Sequence, residues 1–220
     1  MKDNKYIISI VRIFWIFIIG SVIGYIVEMI VGFVQNHGQF VSRQGLLFGP
    51  FIPVYGVGLS IYYIIIPRIK TLDNPKIFIY SMILGGITEY LFSYFQEKLF
   101  GSISWDYSNL LFNFNGRTSL LHCVYWGIGG VLFMDWVYPL INNFFKYFEK
   151  TKYLTALLVV FMLFNISISC LAANRQEERL KFIEADNEID LFLDRFFPND
   201  TMDKIYSNKK IVLSIENCKR

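Results

Sequence analysis

The sequence has little of what soluble enzymes and metal-binding domains use. Only two histidines and three cysteines occur in 220 residues, and the cysteines are scattered without a CxxC spacing. Neither a zinc site nor a disulfide framework is therefore expected. The chain has no Gly-Lys-Ser/Thr sequence, which excludes a Walker-type phosphate loop. It also has no Ser-His-Asp or Cys-His set with supporting spacing, so we expect no enzymatic activity, metal or cofactor.

Charge is also scarce. Charged residues make up 18% of the chain, the net charge is +3, and the charges are spread rather than clustered. This pattern is not that of a nucleic-acid-binding protein. Hydrophobic residues make up 54% of the sequence, and the mean hydropathy is +0.41. The composition therefore predicts an integral membrane protein embedded in a lipid bilayer.

Long apolar runs predict an all-α integral membrane protein with about five transmembrane helices. About 20 apolar residues cross a bilayer core of roughly 30 Å. Residues 1–171 are predicted to form the transmembrane bundle, with spans at about 13–34, 45–66, 77–95, 119–141 and 153–171. The tail, 172–220, holds nine basic and ten acidic residues, against twelve and eight in the rest. Near-helical spacing of its apolar residues predicts a partly helical, amphipathic tail, with a helix over about 176–196.

The distribution of basic residues predicts the orientation. Cytoplasmic loops carry an excess of Lys and Arg. With the N-terminus in the cytoplasm, the inner segments hold nine basic residues and the two outer loops hold three. Basic residues at the start of the tail oppose this balance slightly without reversing it. We expect a multi-pass plasma-membrane protein with a cytoplasmic N-terminus and an extracytoplasmic tail.

The second predicted span contains an unusual density of helix breakers. Six glycines and prolines fall within residues 45–58. In lipid, irregular backbone is tolerated only where protein or a polar cavity covers it. The segment is therefore expected inside the bundle rather than facing lipid. The residues proposed for a broken-helix site are Gly49, Pro50, Pro53, Tyr55 and Gly56.

A weaker copy of this segment begins at Arg117. Both copies have Leu-Leu three and four residues after an Arg, and both then reach an aromatic-Gly-x-Gly sequence, at Tyr55 and at Trp126. An apolar run with a single Glu precedes each copy. The pattern predicts a tandem two-helix repeat, as transporter folds often have. Chance similarity between apolar, Gly-rich segments is the competing interpretation.

Four charges mark the outer half of the predicted bundle: Glu28, Arg43, Glu89 and Arg117. A charge at the bilayer centre costs roughly 2.5–3.5 kcal/mol on insertion scales, so such residues usually pair or line cavities. One interpretation is two Glu–Arg ion pairs that tie each helical hairpin together. The other is a polar pocket or gate for a ligand. Pairing within each repeat is the simplest choice, and a pair of Glu28 with Arg117 is an alternative.

The motifs together resemble a known family. They are Ser-Arg-Gln-Gly-Leu-Leu-Phe-Gly-Pro-Phe-Ile-Pro-Val-Tyr-Gly-Val-Gly, then Glu-Tyr, Trp-Asp-Tyr-Ser, Phe-Asn-x-Asn-Gly-Arg and Trp-Gly-Ile-Gly-Gly. This combination is similar to the putative ABC-transporter type IV family, small multi-pass proteins mostly of Gram-positive bacteria. The resemblance implies a permease-like protein of the plasma membrane. It also implies that any ATPase is a separate subunit.

Three functions are compatible with the sequence. The first is a permease-like component that works with a separate ATPase and forms a homodimer, since five helices make a thin wall for a pore. The second is a membrane-embedded enzyme that uses Glu28 or Glu89, for which no nucleophile or metal set is found. The third is a non-transporting membrane sensor or assembly factor that acts through its tail and loops.

Overall fold

Helices dominate the computed structural model, which describes residues 10–69, 73–148 and 151–212. An all-α membrane protein is confirmed. The strands that accompany the helices are two residues long each and form two antiparallel pairs, β1 with β4 and β2 with β3. The helices are α1 (Ile10–Gln35), α2 (Pro53–Ile65), α3 (Asn74–Phe100), α4 (Leu120–Leu132), α5 (Tyr138–Phe148), α6 (Lys152–Leu180), α7 (Glu188–Phe196) and α8 (Asn199–Ile205), and the strands are β1 (Ser102–Ile103), β2 (Asn113–Phe114), β3 (Thr118–Ser119) and β4 (Lys210–Ile211).

Local sequence sets most of the helix ends. Pro53 occupies the first turn of α2, where its missing N–H is not needed. The side chains of Asp73, Ser119 and Asn187 cap the first turns of α3, α4 and α7 by accepting a backbone N–H bond. Gly101 ends α3 in the left-handed conformation, with φ of 53°.

Four helices, rather than five, are long and apolar enough to cross a bilayer among the described residues. They are α1, α3, the continuous helical stretch Leu120–Phe145 and α6. A π-helical turn, Phe133–Val137, joins α4 to α5 within that stretch without a break. The predicted span 45–66 is helical only from Pro53, and the 13 residues of α2 rise about 20 Å, less than the roughly 30 Å core. The chain before α2, residues 44–52, is irregular backbone, so the second predicted span is part irregular segment and part helix.

Two helical hairpins, α1 with α2 and α3 with α4, form matching units of the bundle. In the first unit, a Cβ atom added to Gly24 would lie 2.3 Å from the ring of Tyr55. In the second, a Cβ atom added to Gly85 would lie 2.4 Å from the side chain of Trp126. Gly24 precedes Glu28 of α1 by four residues, and Gly85 precedes Glu89 of α3 by the same number. Each aromatic opens an aromatic-Gly-x-Gly sequence. The same close helix contact therefore occurs in both copies of the predicted repeat.

The largest apolar core lies at the end of the bundle where α1 begins. Tyr62, Ile16 and Ile66 are fully buried there and pack with residues of the π turn and α5. The indole of Trp15 donates a hydrogen bond of 3.1 Å to Thr155, which joins α6 to the hairpins. The opposite end of the bundle is left for polar residues and the tail.

The tail folds back onto the end of the bundle where α1 and α3 end. Helix α6 continues past the predicted boundary at 171 as far as Leu180, so bundle and tail share one helix. The single helix predicted over 176–196 is wrong, because Phe182 adopts a φ of 59° and ends α6 before Asn187 starts α7. Leu193 of α7 and Met202 of α8 are buried against Leu47.

Candidate functional site

A polar cluster lies between the two hairpins, at the end of the bundle that the tail covers. Glu28 of α1 accepts a bond of 3.2 Å from Arg43 and another of 2.7 Å from the hydroxyl of Tyr55 on α2. Arg43 also donates to Gln35 at 2.7 Å. The ion pair predicted within the first repeat is therefore present, and a tyrosine is part of it.

Glu89 of α3 lies at the equivalent position but has a different set of partners. Its carboxylate accepts bonds from the hydroxyls of Tyr107, at 3.0 Å, and Thr118, at 2.7 Å. The residue is only 7% exposed. Within residues 10–69, 73–148 and 151–212, no cation forms an ion pair with it. Glu89 is thus a buried carboxylate held by neutral donors, a costly arrangement in a membrane span.

The ion pair predicted between Glu89 and Arg117 is wrong. Arg117 instead binds Glu97 at 2.6 Å and lies over the rings of Tyr90 and Tyr94. The difference from the first repeat has a local cause. Sixty-one residues separate Glu28 from Glu89, and the same offset places Glu97 where the first repeat has Asn36. The second repeat therefore has an additional carboxylate, Glu97, near the end of its helix, and Arg117 binds it. The first repeat has Asn36 at this position, which carries no charge and donates to the backbone carbonyl of Gly32.

Aromatic side chains surround the cluster. Tyr55 and Trp126 pack with ring centroids 5.3 Å apart, and Tyr107 stacks on His122 at 3.7 Å. Tyr55 is close enough to Glu89 as well as Glu28 to interact electrostatically with both. Two carboxylates and several hydroxyl donors thus share one aromatic-lined region. Across the described ranges, no group of His, Cys, Asp and Glu side chains could hold a metal ion.

Sequence reasoning missed Tyr107, Thr118 and Trp126 as members of this cluster. Tyr107 belongs to the Trp-Asp-Tyr-Ser sequence in the connection between α3 and α4, and that concentration of hydrogen-bonding side chains is the available signal. The indole of Trp105 in the same sequence donates to the carbonyl of Arg117 at 2.8 Å. The connection is therefore folded against the site rather than away from it.

Side chains of α6 form hydrogen bonds with the backbone of the irregular segment before α2, residues 44–52, which we call the broken segment. The amide of Asn165 accepts from Phe48 N at 3.1 Å and donates to Phe48 O at 2.6 Å. Ser169 accepts from Leu47 N at 2.9 Å, and Ile52 N donates to the carbonyl of Ser21 at 3.1 Å. The backbone groups that a lipid environment would leave unpaired are satisfied in this way.

The predicted broken-helix residues are not equally buried. Gly49 turns the chain with a φ of 76°, and both Gly49 and Pro50 are exposed, contrary to the expectation that the whole segment lies inside the bundle. Pro53 and Tyr55 are half-buried, and Gly56 is buried. A Cβ atom on Gly56 would lie 2.3 Å from Ser21, so this position serves close packing of α2 on α1. Among these five predicted residues, Tyr55 is the one that forms a hydrogen bond with the polar cluster, through Glu28.

The part of the tail beyond α6, residues 181–212, covers the end of the bundle that holds the polar cluster, and we call it the cap. Tyr206 pairs with Arg43 as an isolated β-bridge, and Ser42 donates to the carbonyl of Ile205 at 2.9 Å. Strand β4 pairs with β1, and Asn208 donates to the carbonyl of Ser104 at 3.0 Å. The cap therefore contacts both connections, the one after α1 and the one after α3.

Buried polar contacts fasten this cap to α6. Arg175 is 2% exposed and binds both carboxylate oxygens of Asp194, at 3.0 and 2.9 Å. Hydrogen bonds from Arg175 and then Arg179 hold the pKa of Asp194 below its ordinary value. Burial lowers the pKa of Lys209 to about 8, and its ammonium group donates to Gln176. Burial also raises the pKa of Tyr206 to about 12.

A cavity of about 180 Å³ opens between the cap and the α3–α4 connection. Its charged groups are already paired, since Arg117 binds Glu97 at 2.6 Å and Asp106 binds Lys210 at 3.5 Å. The hydrogen bond from Ser108 lowers the pKa of Asp106. The lining combines both signs of charge with apolar groups: Ser93, Glu97, Ile103, Trp105, Asp106, Ser108, Asn115, Gly116, Arg117 and Val212.

Comparison with known proteins identifies a family. The family described as "Putative ABC-transporter type IV" matches residues 15–170, which covers more than two thirds of the chain. No curated protein and no solved structure matches the sequence. The matched region includes both hairpins, the polar cluster and most of α6.

Proposed function

The chain belongs to the putative ABC-transporter type IV family, and from this premise we propose that it is a permease-like membrane subunit served by an ATPase on another chain. The sequence carries no Walker-type phosphate loop, so the proposal assigns ATP hydrolysis to a separate chain. A plasma-membrane location, with the N-terminus in the cytoplasm, is part of the proposal. It rests on the excess of basic residues in the inner segments.

The buried polar cluster is the observation that carries this proposal. Polar and ionisable groups inside a membrane span are expensive and often mark a substrate or ion pathway. Glu28 is neutralised by Arg43, whereas Glu89 accepts hydrogen bonds from neutral hydroxyls. In this proposal a cationic or hydrogen-bond-donating substrate binds to the carboxylate of Glu89 and contacts the aromatic faces of Tyr55 and Trp126.

The cap suggests how access to the cluster is controlled. Bridges from Tyr206 to Arg43 and from β4 to β1 cover the cluster end of the bundle. In our proposal this end faces the outside of the cell, and the cap has to loosen before substrate enters or leaves there. The single chain offers few helices for a complete pathway, so the proposal includes a homodimer.

Purification in mild detergent tests the ATPase partnership. A nucleotide-binding subunit recovered in near-stoichiometric amount, with ATP hydrolysis in the purified complex, is the expected result. Crosslinking in membranes before solubilisation should give a species of twice the chain's mass in the same preparation. A receptor or envelope protein recovered in place of an ATPase would instead favour a sensor or assembly factor.

Variants of the cluster test the site separately. Glu89→Gln keeps the shape of the side chain and removes its charge, whereas Glu188→Gln makes the same change at an exposed position of α7. We expect both variants to recover the ATPase subunit. Only Glu89→Gln should fail to complement a deletion of the chain, in whatever growth phenotype the deletion gives. Full complementation by Glu89→Gln would remove the cluster from the transport pathway.

A further inference from the structure

A continuous row of aromatic rings runs from the outer surface of α6 onto the tail. Phe164 of α6 is 57% exposed and stacks on Phe48 at 6.3 Å. Phe48 contacts Phe197 at 6.2 Å, and Phe197 contacts Phe192 at 6.5 Å. Phe192 and Phe196 are 4.6 Å apart. The row therefore joins a lipid-facing position of a membrane span to helix α7.

Helix α7 is amphipathic, and its apolar stripe points away from the bundle. Ile189, Phe192 and Phe196 are 57%, 46% and 53% exposed and follow a spacing of three and four residues. Leu193, on the adjoining face, is 1% exposed and packs inward. Asp194 lies further around the helix and is bound to Arg175. About half of the stripe's apolar surface is thus left uncovered by the residues that the structure describes.

The level of α7 along α6 matches a membrane interface. About 20 residues of helix span a core of roughly 30 Å, so a core that begins near Leu154 ends near Ala173. Leu193 packs on Ala172, and Asp194 binds Arg175 and Arg179, which lie two and six residues beyond Ala173. This level of α6 corresponds to the depth of the lipid headgroups, so the neighbouring stripe of α7 lies near their boundary with the acyl chains.

We propose that the stripe of Ile189, Phe192 and Phe196 inserts into the membrane interface, so that lipid anchors the cap together with α6. Lipid is favoured over a protein partner by the continuity of the ring row with the exposed face of α6. The stripe is also small. Three half-exposed side chains offer about 300 Å², well below the roughly 800 Å² per partner of a stable protein interface.

Spin labels in nanodiscs of phosphatidylcholine and phosphatidylglycerol test the proposal with the full chain. The three native cysteines are replaced by serine, and a nitroxide is attached at Phe192→Cys. The matched control is Leu191→Cys, the preceding residue, which is 60% exposed and lies away from the stripe. Oxygen, which partitions into lipid, and a water-soluble nickel chelate are then compared as relaxing agents.

The expected result is several-fold greater relaxation by oxygen than by the chelate at Phe192→Cys, and the reverse order at Leu191→Cys. Ile189→Cys should behave like Phe192→Cys and guards against misfolding of one variant, which gel filtration detects. Equal access of the chelate to Phe192→Cys and Leu191→Cys would show that the stripe faces water. Exclusion of both agents at the stripe would show a protein cover, and either outcome overturns the proposal.

Discussion

Removing the amide of Asn165 should release the broken segment 44–52 from α6. Asn165 is fully buried and forms hydrogen bonds with both backbone groups of Phe48, which lies 117 residues away in the sequence. Asn165→Leu keeps the branching of the side chain at Cγ, with a larger volume, but leaves the N–H and the carbonyl of Phe48 without their Asn165 partner. A fully buried polar group left unsatisfied costs about 1–3 kcal/mol. Because Phe48 is 39% exposed and both bonds are only partly buried, we expect a total loss of about 1–3 kcal/mol in the free energy of unfolding.

A matched control exists in the same helix. Asn174 is exposed and its side chain bonds only Glu178, so Asn174→Leu should change the free energy of unfolding by less than about 0.5 kcal/mol. Ser169 still holds Leu47 in the Asn165 variant, so the segment should loosen rather than detach. Hydrogen exchange over 44–52 should accelerate in the Asn165 variant alone.

Unfolding in mixed micelles of a mild detergent and sodium dodecyl sulfate measures both variants. Tryptophan fluorescence reports the transition, and circular dichroism confirms that helix is lost in the same step. If Asn165→Leu unfolds within about 0.5 kcal/mol of Asn174→Leu, the amide does not hold the segment. Water or lipid headgroups would then have to satisfy Phe48, and the role of Asn165 in closing the broken segment would be refuted.

Three further predictions concern the charges, the repeat and the cap. A double-mutant cycle of Arg117→Gln with Glu97→Gln should give a coupling energy of about 1–2 kcal/mol in the same unfolding assay. The cycle of Arg117→Gln with Glu89→Gln should give less than about 0.5 kcal/mol. A larger coupling energy with Glu89 than with Glu97 would instead support an ion pair of Arg117 with Glu89. Gly85→Ala should destabilise by about 1–3 kcal/mol because its Cβ would meet Trp126, whereas Gly129→Ala, with no atom within 4 Å, should be neutral or stabilise by up to about 1 kcal/mol. Burial lowers the pKa of Lys209 in the folded protein to about 8, whereas in the unfolded chain the lysine keeps its ordinary, higher pKa. The unfolded chain therefore binds more protons than the folded protein above about pH 8, and thermal stability should rise from about pH 8 towards pH 10. Lys209→Gln should flatten that rise, and an unchanged slope would show that another group causes it.

The amino-acid sequence by itself determined the features that depend on neighbouring residues. Apolar runs of sufficient length identified the membrane helices, because burial in lipid requires about 20 apolar residues in succession. Glycine and proline spacing located the irregular segment before α2, since Pro53 can only begin a helix there. The pair of Glu28 with Arg43 was the simplest of the pairings that the sequence allowed, because a short connection separates the two residues, and the structure contains it.

Only the tertiary structure decided which distant side chains satisfy the polar groups. Helix α3 carries two carboxylates, Glu89 and Glu97, and Arg117 binds Glu97 with its side chain over Tyr90 and Tyr94. Glu89 received its hydroxyl partners from a connection whose path no periodicity encodes. The contacts of Asn165 with Phe48 and of the tail with Arg43 join residues more than 100 positions apart. The residue types in the sequence determine which polar groups need a hydrogen-bond or ion-pair partner once they are buried. Which side chain becomes that partner depends on the distances that the packing of the helices creates.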